Sequence, residues 1–202
     1  MGILGEIVKD VAEAAAVDKV NDLMNKHDEK LKAKNPSDFH LHITQNGNLL
    51  KDAYYAIDDS DKKKYRIKGE MISRQQNYHI YDMKGNEVGT VTEKPVGYKV
   101  PRSVKPKPKI FIIENNNIEV GEFKYGFQST KKSLGIEFND WEFSSNIWGT
   151  HIKVKKGAEE IMNIHELMQG NAKRYTINYP NPSNELKCLA MLVALIAASR
   201  AQ

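Results

Sequence analysis

The stretch CLAMLVALIAASR, residues 188–200, is the most apolar part of the sequence and lies near its carboxy-terminal end. Its first eleven residues, 188–198, place no polar side chain at any angle around a helix. A bilayer core needs about 20 predominantly apolar residues, whereas runs of about 10 to 14 are more often buried core helices. Because charged residues flank the run on both sides, we predict a helix over residues 186–201 that is surrounded by protein.

Short alternating segments fill the chain between residues 39 and 179. Apolar and polar side chains alternate with period two in FHLHI (39–43), EFKYGF (122–127), THIKV (150–154) and YTINY (175–179). Turn signals rich in Asn and Gly separate such segments, which predicts about a dozen short strands. Each alternating strand has one apolar face, so a closed antiparallel barrel around the terminal helix would bury both elements and leave no sheet edge open.

Three longer segments resemble the LURP-one-related family, which belongs with the tubby carboxy-terminal domains and the phospholipid scramblases. They are YRIKGEMISRQQNYHIYDMKGNEVGTVTEK (65–94), NIWGTHIKVKKGAEEIMNIHEL (146–167) and YTINYPNPSNELKCLAMLVALIAASRA (175–201). The resemblance covers residues 37–202 and implies a mainly β fold, a tubby-like closed antiparallel barrel of twelve strands threaded by a hydrophobic helix. It implies less about function: tubby domains bind phosphoinositides, scramblase relatives associate with bilayers, and LURP-one-like proteins mostly lack a defined activity.

Residues 1–36 lie outside this resemblance. Apolar side chains such as Leu4, Ile7 and Val11 recur there at helical spacing, which predicts one or two amphipathic helices. Six lysines and seven carboxylates share the segment, whereas a membrane-surface helix is rich in Lys and Arg on its polar face. We therefore expect it to pack on the barrel or on another copy of the protein, as a homo-oligomer. Pro36 disfavours further helix, so we expect a helical extension over 1–36 and a barrel domain over 37–202.

Motifs for catalysis and cofactor binding do not stand out in the sequence. The single cysteine, Cys188, excludes an intrachain disulfide and a four-cysteine zinc site, and its apolar surroundings make it a poor nucleophile. His40 and His42 share one face of a strand, but no third metal ligand is visible nearby, and such histidines are usually surface residues. The acidic segment 58–70 lacks the glycine that a calcium loop needs. We expect no enzymatic activity, no cofactor and no metal site.

The segment KPVGYKVPRSVKPKPK, residues 94–109, carries six basic and no acidic side chains. The whole chain has a formal charge of +4, so without these six charges the remainder would carry −2. Four prolines favour an extended, solvated loop. We predict that the segment contacts anionic lipid headgroups, at about 1 kcal/mol for each nearby basic residue. The predicted contact residues are Lys94, Lys99, Arg102, Lys105, Lys107 and Lys109.

Other interpretations of this segment stay open. Its lysines suit a solvated connector that discourages edge-to-edge pairing, and nucleic acid would use the same charge. We rank nucleic acid below lipid because Tyr98 is the one aromatic residue in the segment and no recognition helix is available. The expected function is a non-enzymatic cytoplasmic module that meets anionic membranes peripherally, since the amino terminus lacks signal-peptide features. The alternatives are a scaffold that self-associates through residues 1–36 and, with little room beside a central helix, a carrier of apolar ligands.

Overall fold

The computed structural model describes residues 39–45, 53–72, 75–97, 108–126, 135–145, 151–169 and 172–200. The predicted helical extension over residues 1–36 lies outside these ranges, so that assignment and the domain boundary stay predictions. Twelve strands are described: β1 (Phe39–Gln45), β2 (Ala53–Ile57), β3 (Lys63–Ile72), β4 (Gln75–Asp82), β5 (Glu87–Lys94), β6 (Lys109–Asn115), β7 (Ile118–Tyr125), β8 (Ile136–Phe138), β9 (Glu142–Ser145), β10 (His151–Lys156), β11 (Glu159–Gln169) and β12 (Ala172–Tyr179).

All twelve strands form one antiparallel sheet in the order β8-β7-β6-β5-β4-β3-β2-β1-β12-β11-β10-β9. Strands that follow one another in sequence are neighbours, and β1 pairs with β12 along its whole length, from Phe39 with Tyr179 to Gln45 with Lys173. The sheet therefore curls into a nearly closed barrel, which confirms the predicted mainly β, twelve-stranded fold. The sheet ends at β8 and β9, so a seam between these two strands replaces the complete closure that we expected.

The terminal apolar run forms helix α1 (Glu185–Arg200), which follows a 3-10 turn at Pro182–Asn184. Every residue from 188 to 198 is at most 9% exposed and belongs to the same core as the inward side chains of the strands, such as Leu41 and Ile177. The prediction that protein surrounds this run is thus confirmed. In the part of the chain that the structure describes, no helix is long and apolar enough to cross a membrane.

The two ends of the barrel differ in their connections. We name the end at which Phe39 pairs with Tyr179 and α1 begins the entry end, and the opposite end the far end. Because neighbouring strands are antiparallel, successive connections alternate between the ends. The entry-end connections are 58–62, 83–86, 116–117, 139–141, 157–158 and 180–184, and the far-end connections are 46–52, 73–74, 95–108, 126–135, 146–150 and 170–171.

The entry-end connections are tight because residues that tolerate the left-handed region occupy them. Asn116 and Asn117 have φ of 50° and 63° between β6 and β7, and Asn139 has φ of 51° between β8 and β9. The Asn115-Asn116-Asn117 and Asn139-Asp140 turn signals of the sequence are therefore confirmed at this end.

Candidate functional site

A buried carboxylate, that of Glu185 in the first turn of α1, lies at the entry end and is only 8% exposed as a residue. Lys64 Nζ lies 2.5 Å from its Oε2, the Tyr65 hydroxyl donates to Oε1 at 2.8 Å, and the Tyr179 hydroxyl donates to Oε2. Burial by itself raises the pKa of Glu185, but these three donors outweigh burial and hold the pKa below its usual 4.5. The ionised carboxylate therefore fastens α1 to β3 and β12.

The same cluster is unsuited to acid–base chemistry near neutral pH. Burial, together with the nearby Glu185 carboxylate, raises the pKa of both Tyr65 and Tyr179 far above the usual value for tyrosine. Both hydroxyls consequently keep their protons and act as fixed donors. We interpret the cluster as a structural one that holds the start of α1 against β3 and β12. The helix dipole also favours a negative charge at this position.

Glu185→Gln is expected to lower the free energy of unfolding at pH 7 by about 2 to 4 kcal/mol, because it leaves Lys64 and two tyrosine hydroxyls without their anionic acceptor. The folded-state pKa of Glu185 is depressed, so its contribution is present above about pH 4.5 and is lost as the pH falls through the folded value. Urea unfolding at several pH values measures both effects. Glu119→Gln, at an exposed position, serves as the control. Equal losses of unfolding free energy in the two variants would contradict a stabilising role for the Glu185 carboxylate.

A second polar cluster adjoins the first on β1. His40 Nδ1 and His42 Nε2 lie 2.8 Å and 3.1 Å from the two carboxylate oxygens of Asp59, and His42 Nδ1 lies 3.0 Å from Thr176 Oγ1. The predicted common face of the two histidines is confirmed, but both are buried, so our expectation of ordinary surface residues was wrong. The sequence did not reveal Asp59 as the partner of these histidines, because only the β2–β3 turn brings its carboxylate beside them. In the described ranges no group of three or more His, Cys, Asp or Glu side chains is arranged to hold a metal.

An open cleft of about 370 Å³ lies beside these clusters, lined by Phe39, His40, Asp58, Asp59, Ser60, Lys64 and Tyr179. Most of its polar groups are already engaged with one another, as Lys64 is with Glu185 and Asp59 with both histidines. The Ser60 hydroxyl donates to Asp58 Oδ1 at 2.7 Å, which stabilises the turn. Ser60 is therefore not aligned with a histidine base as an activated nucleophile would be.

Two of the predicted lipid-contact residues, Lys94 and Lys109, border the far end. Lys94 ends β5 with half of its side chain exposed, and its Nζ lies 3.9 Å from Glu122. Lys109 begins β6 with a 17% exposed side chain, and it pairs with Glu93, which also accepts the Gln76 N–H at 3.0 Å. Lys109 is thus held between neighbouring strands. The other four predicted residues, Lys99, Arg102, Lys105 and Lys107, lie outside the described residues.

The chain segments that join strands at the far end contain further basic residues. The six far-end connections contain eight basic and one acidic residue, while the six entry-end connections contain two basic and four acidic residues. This count includes Lys51, Arg74, Lys131 and Lys132, all four of which lie outside the described residues. They are far apart along the chain, and only the alternation of antiparallel connections relates them to the segment 94–109.

Comparison with protein families decides the relationship of this barrel to known proteins. The family model described as LURP-one-related matches residues 39–198, which span all twelve strands and nearly all of α1. The chain belongs to the LURP-one-related family. An X-ray structure of a protein from Arabidopsis thaliana is similar to this LURP-one-related chain, with 10% sequence identity and a TM-score of 0.44, covering 79% of this chain and 92% of that one. Comparison with the curated proteins gives no match.

Proposed function

We propose that this LURP-one-related chain is a non-enzymatic module that binds anionic phospholipid surfaces through the far end of its barrel. The observation that carries the proposal is the sequence of the segments that join strands at each end. The far-end segments, mostly outside the described residues, contain eight basic and one acidic residue, against two and four in the entry-end segments. Charges of one sign collected on one side of a protein produce a potential that attracts an oppositely charged surface.

The residue types in the far-end connections favour a membrane over other anionic partners. Besides the lysines and arginines, these connections contain Tyr98, Phe127 and Trp148. Aromatic residues, Tyr and Trp above all, suit the boundary between headgroups and acyl chains. There the apolar part of the ring contacts acyl chains and its polar group contacts water. A flat surface also allows several connections to bind together, whereas readout of DNA bases uses a helix or a β-ribbon inserted into a groove.

The magnitude of the attraction is sufficient for reversible recruitment. Each basic residue near an anionic surface contributes about 1 kcal/mol, so the four basic residues of connection 95–108 would contribute about 4 kcal/mol before Lys51, Arg74, Lys131 and Lys132 are considered. The cytoplasmic leaflet carries the anionic lipids that this attraction requires. The proposal therefore describes a cytoplasmic protein that is peripheral at the membrane.

Vesicle flotation tests this function directly. We expect the protein to float with vesicles that contain phosphatidylserine and to stay behind with pure phosphatidylcholine vesicles. Binding should weaken steeply as salt rises from about 0.15 M to about 1 M, because the Debye length falls from about 8 Å to about 3 Å. Equal binding to both vesicles, binding that resists salt, or no flotation with either vesicle would each overturn the proposal.

A further inference from the structure

Part of the outer surface of the barrel is more buried than a single-layered sheet allows. Along β1, β12 and β11 the inward side chains form the core, so the residues that alternate with them point outward. Six of these outward polar residues are buried: His40, His42, Thr176, Asn178, Asn163 and His165. They are cross-strand neighbours in two rows over β1, β12 and β11. One row is His42, Thr176 and His165, and the other is His40, Asn178 and Asn163.

A histidine elsewhere on the barrel shows what an outward side chain on an uncovered face looks like. His79 of β4 also alternates with core residues, and 26% of its side chain is exposed even though Glu70 and Glu87 flank it. The side chains of His40 and His42 are 4% and 9% exposed. The described elements are one sheet, a 3-10 turn and α1, and α1 lies on the inner side. Apart from the β2–β3 turn, which brings Asp59 against His40 and His42, a second layer over this outer face must therefore come from elsewhere.

The short far-end connections beside this face cannot reach the row of His40, Asn178 and Asn163. His40 is five residues from the far end of β1, which is about 17 Å at about 3.4 Å per residue. A connection would need about ten residues to reach this row and return, whereas 46–52 has seven residues and 170–171 has two. At the entry end the β2–β3 turn places Asp59 against His40 and His42. The 38 residues that precede Phe39 enter β1 beside His40, within this face.

The number of residues before Phe39 matches the size of this outer face. Four strands about 4.8 Å apart present a face about 15 to 20 Å wide, which two helices about 10 Å in diameter cover. Each helix needs about 13 residues to run about 20 Å along the strands, so 38 residues suffice for both. The chemistry matches as well, because His40 Nε2 and Asn178 Oδ1 are buried without a hydrogen-bond partner in the described ranges. A cover with polar as well as apolar side chains suits such a surface, and residues 1–36 contain both.

We propose that residues 1–38 pack within their own chain over the outer face of β10, β11, β12 and β1, as a second layer on the barrel. Cross-linking of the unaltered full-length chain tests this arrangement. A lysine-reactive cross-linker should join lysines of residues 1–36 to Lys153 on the outer side of β10. It should not join them to Lys94 on β5 or Lys124 on β7, whose strands are on the opposite side of the sheet order. Mixing protein with and without heavy nitrogen separates links within a chain from links between chains.

Histidine modification provides an independent readout. In the unaltered protein, diethyl pyrocarbonate should modify His79 and spare His165. Replacing three apolar side chains of the extension, as Leu4→Ser, Ile7→Ser and Val11→Ser together, should raise the rate at His165 about tenfold, because local opening becomes more frequent. The matched control replaces polar residues of the same segment, as Glu6→Ser, Lys9→Ser and Glu13→Ser, and should leave the rate unchanged. Cys188 reports folding, since it should stay unreactive towards thiol reagents while the barrel is intact.

Several results would overturn the proposal. His165 that reacts as fast as His79 in the unaltered protein would show that the face is bare. Cross-links to Lys94 and Lys124 as frequent as those to Lys153 would show a segment without a fixed place. Cross-links mainly between light and heavy chains, with a dimer mass by light scattering, would show that a second copy provides the layer. If the apolar triple variant unfolds, the cross-linking pattern of the unaltered chain still decides between these arrangements.

Discussion

Leu192→Lys is expected to prevent folding altogether. Leu192 is fully buried in the middle of α1, inside the barrel. A lysine there places a charge in an apolar core at a cost of several kcal/mol, against a total stability of about 5 to 15 kcal/mol. The carboxylate of Glu185 cannot compensate, because it lies about 10 Å away along the helix and already accepts three donors.

Yield of soluble protein and the cooperativity of thermal unfolding measure this effect. Ser199→Lys is the matched control, since it adds the same charge to an exposed position of the same helix. We expect that variant to unfold like the parent. A soluble Leu192→Lys protein with a cooperative transition at the parental temperature would contradict the enclosed helix.

Replacing Lys99, Arg102, Lys105 and Lys107 with glutamine is expected to weaken binding to anionic vesicles by nearly a thousandfold. The estimate is about 1 kcal/mol for each basic residue that approaches the surface, or about 4 kcal/mol in total. Lys109 is left in place because its removal would leave the mostly buried Glu93 carboxylate without its cation. The thermal stability of the barrel should change little, because these four residues lie in the sequence between β5 and β6 and belong to neither strand.

The matched control replaces four exposed lysines at or beside the entry-end turns with glutamine, namely Lys62, Lys63, Lys84 and Lys156. It changes the net charge by the same amount and should preserve most of the binding. Equal losses in both variants would show that affinity follows net charge and not the far end. Full binding by the far-end variant would exclude connection 95–108 as the principal contact.

The sequence by itself determined the elements whose signals are local. YTINY alternates from residue 175 to 179 and lies in β12, and the apolar run predicted as helix over 186–201 forms α1 from Glu185 to Arg200. Asn139 ends a strand pattern and adopts the left-handed conformation that a tight turn requires. Periodicity and turn preferences depend on residues a few positions apart, so they are readable without knowledge of the fold.

Only the tertiary structure decided which side chains meet. Glu185 binds Lys64 and Tyr65 from about 120 positions earlier in the chain, and Asp59 reaches both histidines of β1. Lys109 is paired with Glu93, although its place in a basic segment had predicted that it contacts lipid as its basic neighbours would. The strand order likewise decides which connections join strands at the far end. The reason is that β1 pairs with β12 and the barrel curls around α1, and such pairing follows from burying two apolar surfaces together, which no short stretch of sequence encodes.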